Sequence, residues 1–227
     1  MIEVARFSLV GIYGGTFDPV HFGHLRVAEE LVEILQLDRL HFMPASQPRL
    51  RNSPVAISRH RVAMLHRAIH DNARFSLDDR EIYRLGETYS VESLREIRQE
   101  NVENKEIAFC FIVGSDAFIK LQEWYCWQEL FELCHLVVVN RPGHALITDP
   151  YCLPLELRKI CCERWATRTS ELKHLSSGLV FVAPTTLLDI SSTKIRTLIA
   201  SGKSARYLLP GRVLDYIEMH NFYAGGK

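Results

Sequence analysis

Residues 14–24 read Gly-Gly-Thr-Phe-Asp-Pro-Val-His-Phe-Gly-His, and they join an apolar run at residues 7–13 to a segment whose apolar residues recur with helical spacing. This order predicts a strand, a glycine turn and a helix. A helix start carries free N–H groups and a partial positive charge, so it binds phosphate well. His21 and His24 are three residues apart, which places both imidazoles on one face of the helix start. The stretch therefore predicts a nucleotide phosphate site with two imidazole groups beside it.

Other apolar runs are continuous, as in buried parallel strands, and lack the alternation of strands with one face in solvent. Segments with helical periodicity separate them, notably residues 57–69 and 90–103. Strands that alternate with helices predict an α/β fold: a doubly wound, Rossmann-like, mostly parallel sheet with flanking helices. The predicted strands cover residues 7–13, 40–43, 107–113, 136–139 and 179–183.

The length of 227 residues fits one domain, which we assign to residues 1–227. Residues 144–177 form the least regular stretch, and we interpret them as a helical excursion inserted into that domain. In a doubly wound sheet, ligands bind at the carboxyl ends of the strands, near the point where the strand order reverses. The glycine turn after the first predicted strand has that position.

A second pattern lies near the other end of the chain, where residues 189–196 read Asp-Ile-Ser-Ser-Thr-Lys-Ile-Arg. Ser191 or Ser192 is a good N-cap and Gly202 is a good C-terminal stop, so the pattern predicts a short helix. Arg196 would project from its first turn toward an anion, and a guanidinium can bind phosphate with two hydrogen bonds. We expect this helix start to be a second phosphate contact.

Three further segments carry groups suited to a nucleotide. Asp116 follows a buried strand and Gly114, and its carboxylate can accept hydrogen bonds from ribose hydroxyls. The indole of Trp124 can stack on a flat aromatic ring. Residues 84–90 precede a helix and offer backbone amides at its start. A helix cap for Asp116 and a core position for Trp124 are the plain structural alternatives.

Composition argues against some classes of function. Lysine plus arginine equals aspartate plus glutamate at 27 each, so the formal net charge is zero, which disfavours a general nucleic-acid binder. The six cysteines include no Cys-x-x-Cys pair, the first residues do not read as a secretory signal, and no apolar run reaches the length of a membrane span. We expect a cytoplasmic protein with free thiols, without a nucleic-acid partner, a membrane partner or a protein-bound metal.

The two motifs resemble those of the nucleotidyltransferase superfamily. Residues 21–24 match its His-x-Gly-His motif, and residues 190–196 match its Ile-Ser-Ser-Thr-x-Ile-Arg motif. Residues 84–90, with the pattern Arg-x-Gly-x-x-Tyr-Ser, and residues 114–124, with Gly-x-Asp and a tryptophan, are more specific. They resemble the bacterial nicotinate-nucleotide adenylyltransferases, and the resemblance runs over about residues 11–223, nearly the whole chain.

This resemblance implies adenylyl transfer from ATP to nicotinate mononucleotide, which gives nicotinate adenine dinucleotide and pyrophosphate in NAD biosynthesis. The phosphate of the acceptor would attack the α-phosphorus of ATP in line, so catalysis would depend on positioning and charge stabilisation. Mg²⁺ would accompany ATP and be held mainly by phosphate oxygens. The implied catalytic residues are His21, His24 and Arg196.

The resemblance also implies which residues bind each substrate. Backbone amides near Tyr89 and Ser90 would receive the nicotinate carboxylate, and Trp124 would stack on the pyridine ring. The implied contacts of the nicotinate nucleotide are Asp18, Tyr89, Ser90, Trp124 and Arg141. The implied contacts of ATP are Gly14, Gly15, Thr16, Phe17, Gly23, Gly114, Asp116, Ile190, Ser191, Ser192, Thr193 and Lys194.

One segment departs from the family pattern. The family usually carries a Pro-Pro-His-Lys run after its second strand, whereas residues 47–51 here read Gln-Pro-Arg-Leu-Arg. An arginine can still hold a triphosphate, although it is not equivalent to lysine. Either Arg49 or Arg51 would make this contact, unless both lie on a solvated loop.

Three other functions compete with this one. A sister adenylyltransferase would use nicotinamide mononucleotide or phosphopantetheine as its acceptor. A non-catalytic nucleotide-binding module would bind ATP without releasing pyrophosphate, although intact His21, His24 and Arg196 argue against it. A fragment that binds RNA or charges tRNA would share a motif like His-x-Gly-His, but the neutral charge and the lack of an anticodon-binding region count against it. A homo-oligomer is compatible with any of these.

Overall fold

The computed structural model describes residues 7–46, 54–84, 86–104 and 106–225. Within those residues, parallel strands form one central sheet: β1 (Ser8–Gly15), β2 (Arg39–Pro44), β3 (Phe75–Leu77), β4 (Ile107–Gly114), β5 (His135–Val139), β6 (Trp165–Ala166) and β7 (Val180–Ala183). Their order across the sheet is β3-β2-β1-β4-β5-β7-β6, and every pairing is parallel. The prediction of a doubly wound, Rossmann-like α/β fold is therefore confirmed.

Helices connect the strands and flank the sheet in the described part of the chain: α1 (Phe22–Leu35), α2 (Ser58–Ile69), α3 (Arg80–Tyr83), α4 (Ser90–Glu100), α5 (Ser115–Phe118), α6 (Leu130–Leu133), α7 (Leu155–Cys161), α8 (Thr169–Leu172), α9 (Ser192–Ala200) and α10 (Gly211–Met219). The helices predicted at residues 57–69 and 90–103 are present as α2 and α4. The helix predicted after the glycine turn is α1, and the one predicted from the second motif is α9.

Both faces of the sheet are buried, and the sheet separates the two core clusters. Neighbouring residues of β1 belong to opposite clusters. Tyr13 belongs to a cluster with side chains of α1, α2, α9 and α10. Its neighbour Ile12 belongs to the opposite cluster, with side chains of α4, α5, α6 and α7. Successive strand residues point to opposite faces, so a strand buried on both faces must be apolar throughout. This is why the strands could be recognised as continuous apolar runs.

The strand order reverses beside β1. β2 and β3 lie on one side of β1, whereas β4 to β7 lie on the other. Gly15 is the last residue of β1 and Gly114 is the last residue of β4, so these glycines lie at the same carboxyl edge of adjacent strands. Ligands of doubly wound sheets bind at this position.

The two strands that the sequence did not reveal are the edge strands. β3 has three residues and β6 has two, which is too short to show a hydrophobic pattern. β6 lies within residues 144–177, where we expected a helical excursion. That stretch does contain α7 and α8, but β6 pairs in parallel with β7 and ties the stretch to the sheet. The excursion is therefore not purely helical, because its chain also completes one edge.

The cysteines are free thiols throughout the folded chain. Cys110, Cys134 and Cys161 are buried, and burial raises the pKa of each thiol, so they pack as small apolar side chains. None of the helices in the described residues is both long enough and apolar enough to cross a bilayer.

Candidate active site

The two motif histidines lie together at the start of α1. His21 is the N-cap residue of α1, and its imidazole ring lies 3.8 Å from that of His24, measured between ring centroids. The three-residue spacing thus places both rings on one face, as predicted. A Cβ atom on Gly23 would lie 3.0 Å from the His21 ring and 3.3 Å from the carbonyl oxygen of Ile190. Gly23 therefore allows the first motif to approach the second closely.

The environment of His21 keeps its ring neutral. The residue is 5% exposed, and burial, followed by the positive charge of Arg141, lowers the pKa of His21 to about 3. Its Nδ1 atom is buried and has no hydrogen-bond partner among the described residues. A buried ring nitrogen without a partner is unfavourable unless water or a ligand pairs with it. This nitrogen is therefore suited to contact a bound substrate.

The second motif docks directly on the glycine turn. The side chain of Ser191 accepts a hydrogen bond from the Lys194 amide, which confirms Ser191 as the N-cap of α9. The hydroxyl of Ser192 donates to the carbonyl oxygen of Pro19 at 2.8 Å. The guanidinium of Arg196 donates to the carbonyl oxygen of Asp18 at 2.7 Å, across 178 residues of sequence. The starts of α1 and α9 therefore form one surface.

The cations of α9 remain partly exposed on this surface. Arg196 uses Nη1 for the Asp18 carbonyl, and Nη2 lies 3.4 Å from the hydroxyl of Thr193. Lys194 is half-exposed, and its ammonium group lies 3.3 Å from a carboxylate oxygen of Asp189. Exposed cations next to a helix start favour phosphate.

The ends of β4 and β5 add a third side to the site. Arg141 follows β5, and its Nε atom lies 3.5 Å from Oδ1 of Asp116. A Cβ atom on Gly114 would lie 2.6 Å from that Nε atom and 2.7 Å from that carboxylate oxygen. Gly114 therefore leaves room for this ion pair, and the positive charge of Arg141 adds to the lowering of the pKa of His21.

Of the two aromatic residues predicted to contact the nicotinate nucleotide, Trp124 is connected to the glycine turn through the ring of Phe111. The ring of Phe111 would be 3.2 Å from a Cβ atom on Gly14, and it makes an edge contact with Trp124 at 6.3 Å between centroids. Tyr89 is the N-cap residue of α4, and its ring lies 4.7 Å from that of Tyr125. Trp124 is partly buried and packs at the border of the core, as its core interpretation expects, while its stacking role stays a prediction.

The side chains of two predicted substrate contacts, Phe17 and Asp18, are buried in the structure. The Phe17 ring is buried and packs edge-on against Tyr13, His24 and Phe42, so only its main chain is available to ATP. The Asp18 carboxylate is also buried and already accepts hydrogen bonds from the chain, so direct contact with the nicotinate nucleotide is left to its main chain.

Two other predicted contacts cannot be placed. Arg49 and Arg51, the predicted triphosphate contacts, lie outside the described residues.

Two buried charges that support the site were missed by the sequence analysis. Arg61 is 0% exposed, and its guanidinium donates to the carbonyl oxygens of Thr16, Ser46 and Ala56. On α1, Glu30 accepts hydrogen bonds from the amide and the hydroxyl of Thr186, which fixes the turn before the second motif. The sequence did contain a signal that Arg61 is buried, because position 61 lies on the same face of α2 as the apolar positions 64 and 65.

Comparisons with known proteins agree with this geometry. Residues 12–198 match the model of the cytidylyltransferase-like family. A protein of Methylococcus capsulatus named "Probable nicotinate-nucleotide adenylyltransferase" is 42% identical over 95% of this chain and 100% of its own length. A protein of the same name from Dechloromonas aromatica is 41% identical over 94% of this chain and 97% of its own length.

A solved structure has the same fold at much lower identity. Plasmodium falciparum nicotinic acid mononucleotide adenylyltransferase complexed with NaAD superposes with a TM-score of 0.69 at 18% identity, covering 95% of this chain and 97% of that one. Because the family model matches most of the chain and the relatives are about 40% identical along nearly its whole length, this chain belongs to the cytidylyltransferase-like family and, within it, to the nicotinate-nucleotide adenylyltransferases.

Proposed function

We propose that this chain transfers the adenylyl group of ATP to nicotinate mononucleotide, giving nicotinate adenine dinucleotide and pyrophosphate as a step of NAD biosynthesis. The observation that supports the proposal is the direct contact between the two motifs. Arg196 and Ser192 hydrogen-bond to the turn that presents His21 and His24. The relatives described above, which carry this activity in their names, support the choice of acceptor.

The chemistry requires no protein nucleophile. A phosphate oxygen of the mononucleotide forms a bond to the α-phosphorus of ATP, and the bond from that phosphorus to the β-phosphate oxygen breaks. Pyrophosphate leaves with the electron pair of that bond. A phosphate dianion is already nucleophilic at neutral pH, so catalysis depends on alignment and on stabilising the charge of the phosphates.

The residues divide between the two substrates. His21 and His24 contact the ATP phosphates through hydrogen bonds of their imidazole rings, and Arg196 with the start of α9 holds the departing pyrophosphate. Asp116 binds a ribose, Trp124 stacks on the pyridine ring, and amides at the start of α4 receive the nicotinate carboxylate.

We also propose that Mg²⁺ enters with ATP. Backbone amides, imidazoles and cationic side chains predominate at the two motifs; they suit phosphate oxygens and are not the oxygen ligands that Mg²⁺ prefers. The ion would therefore be held mainly by the phosphates and would neutralise part of their charge.

The test is an assay of pyrophosphate release from ATP with nicotinate mononucleotide, with the dinucleotide product identified by chromatography. Parallel reactions with nicotinamide mononucleotide and with phosphopantetheine separate this enzyme from its sisters. Release with phosphopantetheine alone would assign the chain to a sister activity. ATP binding without pyrophosphate release with any acceptor would favour a non-catalytic module.

A further inference from the structure

The carboxylate of Asp18 is a buried junction beneath the active site. Asp18 is 3% exposed, and its Oδ2 atom accepts a hydrogen bond from the Val55 amide at 2.8 Å. Its Oδ1 atom accepts one from the Ala56 amide at 3.2 Å and another from the hydroxyl of Tyr223 at 2.5 Å. A buried carboxylate is stable only when donors such as these replace its water.

The main chain of Asp18 connects this buried carboxylate to the proposed catalytic surface. Its carbonyl oxygen accepts the hydrogen bond from Arg196, while the Arg196 guanidinium also lies 4.0 Å from the carboxylate. Through its side chain and its carbonyl, Asp18 therefore links the glycine turn to Val55, Ala56 and α9. If Asp18 moved, the Arg196 guanidinium, which is proposed to bind ATP, would move with it.

Tyr223 reaches this junction from the last described residues of the chain. After α10, the amide of Phe222 donates to the carbonyl of Ile217, and the chain then turns so that Tyr223 adopts a φ of 63° and is 8% exposed. A positive φ is uncommon for a residue with a side chain. The tail is thus held in a defined conformation that directs a phenol toward a buried carboxylate.

We propose that Tyr223 is a positioning residue for ATP: its hydroxyl holds the Asp18 carboxylate, and Asp18 in turn holds Arg196 in the orientation that receives the triphosphate. This inference rests on the adenylyl transfer proposed above. The site therefore extends to the C-terminal tail, which touches none of the reacting atoms.

The chemistry of the Tyr223 hydroxyl suits this role. Burial, followed by the charge of Asp18, raises the pKa of Tyr223 well above its ordinary value, so the hydroxyl stays protonated and keeps donating. Phenylalanine would fill the same space but would leave the carboxylate with one donor fewer. The change therefore removes the hydrogen bond without removing the packing.

The test compares two isosteric substitutions. Tyr223→Phe removes the bond to Asp18, whereas the control Tyr216→Phe removes the hydroxyl of a tyrosine with the same exposed fraction, 8%, that bonds to His60 at 2.8 Å. For Tyr223→Phe we expect the Kd of ATP, measured by calorimetry, and the KM of ATP to rise about tenfold, with the KM of nicotinate mononucleotide changed by less than about twofold. Tyr216→Phe should leave all three constants near those of the parent.

A double-mutant cycle tests the route through Arg196. In an Arg196→Ala background, Tyr223→Phe should raise the Kd of ATP by less than about twofold, because the group it positions is gone. A Tyr223→Phe protein that melts at a lower temperature but binds ATP as the parent does would overturn the inference. Because the Kd of ATP is read without turnover, the inference is tested even if the parent forms no dinucleotide, a result that would instead reject the proposed function.

Discussion

The ATP half and the acceptor half of the site are built differently. In the ATP half, residues 14–24 with residues 189–196, residues 17–21 are buried while most of residues 189–196 are exposed or partly exposed. Hydrogen bonds from Ser192, Arg196 and Tyr223 to main-chain and carboxylate oxygens cross-link this half. In the acceptor half, residue 84 and residues 86–90 with Trp124, the residues are partly buried or exposed, and Tyr89 and Trp124 pack at the border of the core. The first is fixed by tertiary contacts, whereas the second is mainly a helix start beside an aromatic surface.

This difference has a functional meaning. Charge stabilisation in a transition state requires donors that are already oriented, because reorienting them during the reaction costs free energy. Recognition of a flat acceptor ring needs less rigidity, since stacking tolerates small shifts. We therefore expect changes in the ATP half to reduce turnover or the use of ATP, and changes in the acceptor half to alter the binding and choice of acceptor.

The largest effect should follow His24→Ala. If His24 stabilises the transition state, kcat should fall by about two to three orders of magnitude, as on loss of one preorganised donor. The fold should persist because the substituted residue is at a helix start. Steady-state kinetics measures the first expectation and circular dichroism the second. A near-normal kcat would show that His24 does not stabilise the transition state. It would also weaken the distinction between the ATP half and the acceptor half.

A second effect concerns stability against pH. The pKa of His21 is about 3 in the folded chain and near 6.5 when unfolded, so the unfolded state binds more protons between these values and stability falls as pH falls. His21 alone should lower the free energy of unfolding by about 2 kcal/mol between about pH 7.5 and about pH 5.

Urea titrations at the two pH values, with His21→Gln as the comparison, measure this change in the free energy of unfolding. Other histidines with lowered pKa, such as His41 and His135, affect both proteins equally. An identical pH dependence in the parent and the variant would mean that His21 is not held neutral by its surroundings.

A smaller effect should follow Arg196→Lys. One arm of the Arg196 guanidinium holds the Asp18 carbonyl while the other remains available for phosphate, and a single ammonium group cannot do both. We expect kcat/KM at limiting ATP to fall about tenfold, in line with the loss of one charged hydrogen bond. If this variant behaves like the parent at limiting ATP, Arg196 has been given the wrong role.

The acceptor half should decide which mononucleotide is used. The start of α4 leaves the amides of Ser90 and Val91 without intrahelical acceptors, which favours the nicotinate carboxylate over the nicotinamide amide. Arg84 offsets the nearby acidic groups through ion pairs with Glu92 and Glu96. We expect kcat/KM at least about tenfold higher for nicotinate mononucleotide, from unpaired polar groups in the other complex.

Trp124→Ala sharpens the same point. If the indole stacks on the pyridine ring as proposed, it stacks equally on both rings, so its loss should weaken both acceptors by similar factors and leave their ratio within about twofold of the parent value. Parallel kinetics with the two mononucleotides gives the ratio. Equal use of both acceptors by the parent would contradict the role of the α4 amides without affecting the role of the ATP half.

Local chemistry made much of this protein predictable. The buried strands are continuous apolar runs because both faces of the sheet are covered. The spacing of His21 and His24 gave their common face, and the serine pattern gave the N-cap of α9 at Ser191. Each of these features depends on residues within about one helical turn or one strand, so the sequence pattern and the structure carry the same information.

By itself, then, the sequence determined the five inner strands of the sheet, the two helix starts and the groups suited to phosphate. Only the tertiary structure decided that Arg196 binds the Asp18 carbonyl, that Arg61 and Tyr223 support the glycine turn, and that Arg141 pairs with Asp116. These contacts join residues far apart in the chain, and their partners are chosen by strand order and helix packing. A buried charge must find its partner wherever the fold brings one near, and no local pattern specifies which residue that will be.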